Sequence, residues 1–470
     1  MPDLDAEIVA WIEDVTGATV SNASPVPAGG RLGWSVDVEE RDGGTRALFV
    51  QRGRRGGGTE SSFMPFAREA EVLRALEPVG IPVAHVWAVD EQLDALLLDR
   101  LPGVTWFHAP ADPAEEVSVA QDFVRHLAAW HSVPARELDL PSFRPVKTVR
   151  EHQLDQLAGI RTVFEAEDAR RPIDALALLT LDILDKVPDV PGEPVLVQGD
   201  TGPGNLMYAD GRVTGIVDWE LAHLGDPMDD IAWLSWRATQ HGFPDFPARL
   251  REYEQLTGTA IDEDRVRYYR VNACARLGPW FGLAGMGDTA SAGAAGAGGD
   301  SAGVEADRTA DGSGLIMTML HRRMRLTALA DAMGLALPSR DDVDEAEPKE
   351  HADLYDNVLQ QLQTMVPRIE DRAAANLAKG VARQVKYLKE IDRNGDWFAA
   401  QELADIERLI GPGATPSLPV GRARLAAAAR DGRVPVEEYL LYHWRRTVRD
   451  DHLMKQASGR MYDRGWPALA

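Results

Sequence analysis

The sequence predicts an α+β protein with a small strand-rich N-terminal region, a longer mostly helical region and an all-helical tail. Three observations carry this. Trp34 to Glu40 and Arg46 to Arg52 read as paired strands separated by Arg41-Asp-Gly-Gly44. Phe123, Leu127 and Trp130 recur at helical spacing in Gln121 to His131. Beyond residue 350 the apolar residues keep helical periods throughout, with Leu354, Val358, Leu362, Met365 and Ile369 on one face. Ala374, Leu377, Val381, Val385 and Leu388 form a second such face.

Taken in order, Phe66, Ala70, Leu73 and Leu76 define a helix after the paired strands. Ile81-Pro-Val begins a strand that enters Val86, and Ala95 to Gly103 reads as a last strand and a hinge. Val195 to Val197 is a short buried strand followed by a Gly/Pro loop. Leu206 to Tyr208 and Val213 to Val217 form a hairpin about Asp210-Gly211. A two-residue turn centred there sets Asn205 opposite Ile216 and places Asp218 on the same face as Asn205, because side chains alternate. Asp226-Pro-Met-Asp229 reads as a capped helix start with proline at its first position. Asp226, Asp229, Asp230 and His223 are read as caps and loop braces.

Asp200, Asn205 and Asp218 thereby gather around one hairpin. An amide oxygen and a carboxylate suit Mg²⁺, which takes few protein oxygens and leaves room for phosphates and water. The pattern Asp200-x-x-x-x-Asn205 followed by a strand-ending Asp218 resembles the catalytic loop and metal site of protein-kinase-like enzymes. With Gly199 before Asp200 and Asp-Trp-Glu at Asp218 to Glu220, it is similar to the aminoglycoside phosphotransferase family. The run from Val217 to Leu234 resembles the branch that includes kinase domains fused to acyl-CoA dehydrogenases.

The resemblance implies a bilobal protein-kinase-like fold and a set of roles. Asp200 accepts or orients the substrate hydroxyl proton, while Asn205 and Asp218 hold Mg²⁺ on ATP. Gln198 stands where the family usually has histidine, as a hydrogen-bonding buttress of the loop. Arg52 ends the third strand where a phosphate-binding lysine is usual; a solvated basic loop with Arg54 and Arg55 is the alternative. Glu69 aligns with the glutamate that pairs with that cation, with Glu71 as the chemical competitor. Backbone groups of Asp99, Arg100 and Leu101 meet adenine. Ala28 to Ser35 sits where the family covers the nucleotide, although an ordinary Gly-rich turn explains it equally. There is no G-x-x-x-x-G-K-[ST] motif, which argues against a P-loop enzyme.

Composition narrows the class. The chain has 470 residues, 44% hydrophobic and 26% charged, which suits a globular protein of more than one domain. Its net charge of −24 argues against nucleic-acid or anionic-membrane partners. The single cysteine, Cys274, excludes an intramolecular disulfide and reads as a core thiol. No secretory leader or membrane span is recognised, so a cytoplasmic location is expected. The expected domains are an N-lobe at 1–101, a C-lobe at 102–338, an acidic linker at 339–350 and a helical domain at 351–470. Residues 282–314 within the C-lobe are Gly/Ala-rich and expected to form a flexible loop. Asp392 to Asp396 mimics an EF-hand start, but Trp397 and Leu403 stand where glycine and glutamate are required, so Ca²⁺ is not expected.

The functional expectation is an ATP- and Mg²⁺-dependent phosphotransferase acting on a hydroxyl of a small molecule, by resemblance a hydroxyacyl-CoA-like intermediate. An antibiotic O-phosphotransferase and a non-catalytic pseudokinase scaffold are the alternatives. The tail resembles a helical domain encoded beside such enzymes and could serve a homodimer or a protein partner.

Overall fold

The computed structural model describes residues 4–28, 31–53, 64–106, 110, 112–170, 172–276, 313–341, 343–413 and 416–469. Gly29, Gly30, Arg54, Arg55 and nearly all of the expected loop at 282–314 lie outside them. The chain forms two compact units built from discontinuous segments. One comprises residues 1–155, 188–269 and 466–470, and the other residues 156–187 and 270–465.

The first unit begins with helix α1 (Ala6–Thr16) and strands β1 (Thr19–Ala28), β2 (Arg31–Glu39) and β3 (Thr45–Arg52). Helix α2 (Phe66–Leu76) and strands β4 (Val86–Asp90) and β5 (Ala95–Asp99) follow. The five strands form one sheet in the order β1-β2-β3-β5-β4, antiparallel at every pairing. β1 carries Pro25, which an edge strand tolerates because one side of it needs no ladder donors.

Alternation decides which side chains share a face. Trp34, Val36 and Val38 of β2, Leu48 and Val50 of β3, and Ala95 and Leu97 of β5 form one core with Ile8 and Ile12 of α1. Both isoleucines are fully buried, and each contributes about 1.5–3 kcal/mol of burial free energy. Residues of the opposite parity on β2 and β3, including Arg31 and Gln51, therefore face the other side of the sheet. That parity reappears at the candidate site.

After β5 the chain forms β6 (Val104–Thr105), α3 (Pro113–His131) and α4 (Val149–Arg170). α3 begins well before Gln121, because Asp112 caps it through Ala114 N at 2.9 Å and Pro113 supplies the first turn. Helix α5 (Ala175–Leu184) precedes strands β7 (Val195–Val197), β8 (Leu206–Ala209), β9 (Arg212–Ile216) and β10 (His223–Gly225). β8 pairs with β6 and β9, and β10 pairs with β7. Helices α6 (Pro227–His241), α7 (Phe246–Thr257) and α8 (Glu263–Arg276) complete this stretch. The strand expected from Ile81 begins only at Val86.

Among the described residues the second unit contains helices and no strand. It contains the end of α4, α5, the end of α8, α9 (Ser313–Met333), α10 (Ala352–Met365), α11 (Arg372–Ile410), α12 (Leu418–Arg430) and α13 (Val436–Ser458). The division does not fall at the acidic linker of 339–350. Residues 156–187 and 270–338, read from sequence with the C-lobe, group with the tail because polar side chains tie them to it. Arg322 bonds Asp450 and Arg323 bonds Asp451, each at 2.6 Å, and Arg430 bonds Asp168 at 2.7 Å. Glu402 of α11 is buried among Arg422 at 2.7 Å, Tyr442 Oη at 2.7 Å and Arg446 at 3.6 Å. Asp392 to Asp396 lies inside the continuous helix α11, which has no Ca²⁺-loop geometry. Cys274 is buried, and burial pushes its thiol up to about 12. Among the described residues no helix is long and apolar enough to cross a membrane.

Candidate active site

The loop from Gln198 to Asn205 needs backbone that only glycine adopts readily. Gly199, Gly202 and Gly204 have φ of 78°, 132° and 102°. A Cβ on Gly202 would stand 2.9 Å from Arg237 Cβ, so α6 packs directly on the loop. The loop presents Asp200, whose carboxylate is held from two sides. Arg237 of α6 forms a fork to both oxygens, with Nε to Oδ1 at 2.7 Å and Nη2 to Oδ2. Asn205 Nδ2 donates to Asp200 Oδ2 at 2.7 Å and to the Asp200 carbonyl at 2.8 Å. Arg237 carries no motif that sequence reasoning used; its only signal was its place three turns into a helix opened by Asp226-Pro227.

The hairpin register differs from the expectation. Leu206 pairs with Ile216, and an irregularity between Met207 and Tyr208 shifts the ladder by one residue. Asn205 therefore faces Val217, whose N–H donates to the Asn205 carbonyl at 3.0 Å. Asp218 lies past the strand end with φ of 65°, so strand alternation does not set its direction. A non-glycine residue there is held in a costly conformation, a feature that clusters at functional sites.

Gln198 is fully buried and links the loop to this turn. Its Nε2 donates to the Val217 carbonyl at 2.7 Å and to the Asp218 carbonyl at 3.5 Å. Asp230 braces the loop from below. Its carboxylate accepts from Gln198 N and Gly199 N, both at 2.9 Å, from Thr201 Oγ1, and from His131 Nε2 at 3.0 Å. Burial opposes its charge, but these donors outweigh burial and hold Asp230 below the usual carboxylate range. Asp226 caps α6 through Met228 N at 3.0 Å, and Asp229 meets His223 at 3.0 Å.

Four carboxylates surround two guanidiniums here. Arg31 contacts Glu69 and, through Nε at 3.3 Å, Glu220, while Arg237 holds Asp200 and lies within electrostatic reach of Asp218. Burial, then Asp200 and Glu69, push Asp218 up to about 7 against the pull of Arg237 and Arg31. Burial and Asp218 push Glu220 up to about 9. Such a crowd of carboxylates calls for a cation. Among the described residues no three His, Cys, Asp or Glu side chains converge as a metal cage. Asn205 and Asp218 offer an amide oxygen and a carboxylate, hard oxygen donors of the kind Mg²⁺ takes together with water and phosphates.

The N-terminal sheet changes one pairing. Arg52 is in phase with Leu48 and Val50, on the face packed against α1. It forms an ion pair with Asp5 and donates to the Leu93 carbonyl at 3.3 Å, so it does not meet Glu69. Glu69 is buried on α2 and pairs with Arg31 instead. Arg31 also donates to the Met64 carbonyl at 2.8 Å and stacks over Phe66 at 4.3 Å. Glu71 lies apart from this cluster, accepting from Ser142 N at 2.9 Å. Period-two alternation from Leu48 was the available signal against Arg52; Arg31 and Glu220 lay within segments the sequence had marked, Ala28 to Ser35 and Asp218 to Glu220, but nothing there assigned them to Glu69.

At the hinge, the Asp99 amide donates to His85 O at 2.9 Å and the Arg100 amide to Ala47 O at 3.1 Å. Both amides belong to the sheet, which leaves carbonyls and the Leu101 amide as the backbone groups to consider for a base. The Asp99 side chain accepts from Trp87 Nε1 at 2.7 Å, and Arg100 bonds Asp37 at 2.8 Å. The Leu101 side chain lies across Gly215, where a Cβ would come within 2.3 Å of it.

The chain is similar to several known proteins. Acyl-CoA dehydrogenase family member 11 of Rattus norvegicus is 27% identical over 185 residues, 36% of this chain and 22% of that protein. The Homo sapiens protein of that name is 24% identical over the same extent. The chain thus spans 22% of the length of these relatives. A thermostable mutant of an aminoglycoside phosphotransferase, solved with ADP and hygromycin B, is 19% identical with a TM-score of 0.42, covering 57% of this chain and 89% of that one. The profile of the APH family, described as "Phosphotransferase enzyme family", matches residues 30–269, just over half of the 470 residues. That span takes in strands β2 to β5, the loop from Gln198 to Asn205 and the Asp218 turn, and the chain belongs to the phosphotransferase enzyme family.

Proposed function

We propose that this protein transfers the γ-phosphoryl group of ATP to a hydroxyl of a small molecule. The observation that carries the reading is the convergence of Asp200, Asn205 and Asp218. Asn205 bonds the Asp200 carboxylate at 2.7 Å, and its carbonyl receives the amide that precedes Asp218. Phosphoryl transfer asks mainly for positioning and charge neutralisation, and these three side chains supply both.

Asn205 and Asp218 would hold Mg²⁺, which supplies charge neutralisation on the phosphates when bound. Asp200 accepts a hydrogen bond from the acceptor hydroxyl. The hydroxyl oxygen bonds to the γ-phosphorus, the bond to the β-bridging oxygen breaks, ADP leaves and the hydroxyl proton passes to Asp200. Because both Asp200 oxygens already receive Arg237, its first task is orientation, with proton acceptance late in the step. The first acceptor class proposed is a hydroxyacyl-CoA-like molecule, a reading prompted by the likeness to acyl-CoA dehydrogenase family member 11. An antibiotic acceptor is the second reading. The test is ATP turnover with Mg²⁺ over a panel of hydroxyacyl-CoAs and aminoglycosides, beside Asp200→Ala. Acceptor-dependent ADP release lost in the variant supports the reading. Tight Mg-ATP binding without turnover on any acceptor turns it toward a pseudokinase.

The helical tail suits self-association. Leu354, Val358 and Met365 of α10 and Leu377, Val381 and Leu388 of α11 are exposed at coiled-coil-like spacings. α10 bears Asp353 and Asp356, whereas the first half of α11 bears Lys379, Lys386 and Lys389; Lys389 already meets Asp356 at 2.6 Å within the hairpin. The proposed occupant of this face is a second copy with α10 laid on α11. Light scattering should give a dimer mass that Val381→Glu reduces to a monomer; a monomeric wild type sinks the proposal.

A further inference from the structure

We propose that the cation that meets the nucleotide phosphates is Arg31, at the start of β2, and not a residue of β3. The proposal rests on the phosphotransferase reading above.

In kinase-like sites a cation from the third strand pairs with a glutamate on the following helix, and the pair must be in place for transfer. Here that glutamate, Glu69, is buried and pairs with Arg31. Arg52, the residue that the sequence nominates, faces the α1 core and is tied to Asp5. The residue of β3 on the Glu69 side of the sheet is Gln51, which is uncharged. Gln51 pairs with Gly33, and Arg31 is two residues from Gly33 on the same face. Such diagonal neighbours lie roughly 7–8 Å apart at the backbone. Arg31 therefore delivers its guanidinium to the neighbourhood that a charged residue at position 51 would serve. The buried Gln51 Oε1 finds no hydrogen-bond donor among the described residues.

The surroundings of Arg31 fit a phosphate-binding role better than a purely structural one. It bridges α2 through Glu69 and the Asp218 turn through Glu220. These are the elements that a nucleotide's phosphates and its metal would join. Phe66 backs the planar face at 4.3 Å and the Met64 carbonyl fixes one end. A guanidinium carries five N–H donors, so holding Glu69 and contacting a phosphate are compatible. The Glu220 contact, the longer at 3.3 Å, is the one that an incoming phosphate would replace.

The experiment is calorimetric titration of Mg-ATP and of adenosine into the full chain, for wild type, Arg31→Met, Arg52→Met and Arg31→Met with Gln51→Lys. A hydrogen bond to a charged group is worth about 1.5–3 kcal/mol, or roughly 10- to 150-fold. Arg31→Met should weaken Mg-ATP by that factor and leave adenosine within about twofold. Arg52→Met should leave both unchanged, and Gln51→Lys should restore much of the ATP affinity to Arg31→Met. Rescue is the outcome that a structural role for Arg31 cannot produce. Unchanged ATP affinity in Arg31→Met, equal loss of ATP and adenosine without rescue, or loss of ATP in Arg52→Met overturns the proposal while leaving the phosphotransferase reading intact. A wild type that binds neither nucleotide nor nucleoside overturns both. Arg31→Gln, which keeps donors to Glu69 and Met64, carries the same comparison if the methionine variant does not fold.

Discussion

Replacing Asp230 by alanine should unlatch the catalytic loop while leaving every proposed substrate-facing residue in place. The Asp230 carboxylate is fully buried and serves the amides of Gln198 and Gly199, both at 2.9 Å, the Thr201 hydroxyl and His131 Nε2 at 3.0 Å. Hydrogen bonds to a charged group are worth about 1.5–3 kcal/mol each. Four of them do not add, because the freed loop can shift toward water. Taking roughly two of these bonds as lost outright gives about 3–5 kcal/mol as the expected destabilisation of the loop. At about 1.4 kcal/mol per decade, amide exchange at Gln198 and Gly199 should accelerate by roughly two to three and a half orders of magnitude. The readout is hydrogen exchange resolved to those two amides, with the Val36 and Val50 amides of the N-terminal sheet as an internal reference. Phosphoryl transfer should fall in kcat more than in ATP affinity, since Asp200 rides on the loop. Acceleration at Gln198 and Gly199 below about fivefold, or equal acceleration in the sheet, would refute the assignment of Asp230 as the local brace.

Other consequences are as definite. Gly103→Ala places a Cβ 2.2 Å from the Tyr208 carbonyl at a φ of 98°, so β6 must leave β8; a loss of about 1–3 kcal/mol should appear as a lower Tm. Asp218→Asn should weaken Mg²⁺-dependent ATP binding at least ~10-fold and leave adenosine binding unchanged in calorimetry, because one of two metal oxygens loses its charge. Burial raises Asp226 from 3.8 to about 6 despite Arg265 and the Met228 amide. Folding then takes up a proton between these values, so this group's contribution falls as pH rises through about 4 to 6. Asp226→Asn cannot titrate, and its stability relative to wild type should improve by about 2.4 kcal/mol from pH 4 to pH 7 in urea unfolding. A difference independent of pH would contradict the raised value.

Much of the site was legible because it is local. The loop Gly199 to Asn205 and the hairpin to Asp218 lie within a short stretch of chain. Gly/Pro turns and a Asp-Gly hairpin signal dictate how such a stretch folds. Asp226 and Pro227 announce the start of α6 for the same reason. Gln198 was expected as a hydrogen-bonding buttress from the family resemblance, but its partners, the Val217 carbonyl and Asp230, lie 19 and 32 residues away and came only from the structure. The ladder shift after Met207 was not legible, because an irregularity of one residue leaves no mark in composition. It moved Asn205 from Ile216 to Val217. Arg52 shows a different limit. Its place at the end of β3 was correct, but its face was not, since Leu48 and Val50 carry it to α1.

By itself the sequence determined most of the elements, the Gly/Pro loop that carries Asp200, the hairpin that follows it and the helical tail, because short-range periodicity and turn chemistry specify these directly. Only the tertiary structure decided the partners. It paired Glu69 with Arg31, sent Arg52 to Asp5, set Arg237 on Asp200 and joined residues 156–187 and 270–338 to the tail. Ion pairs between residues far apart in the chain depend on which faces the packed core turns toward one another. Any of several arginines and carboxylates could satisfy the local chemistry, and burial of the apolar faces selects among them.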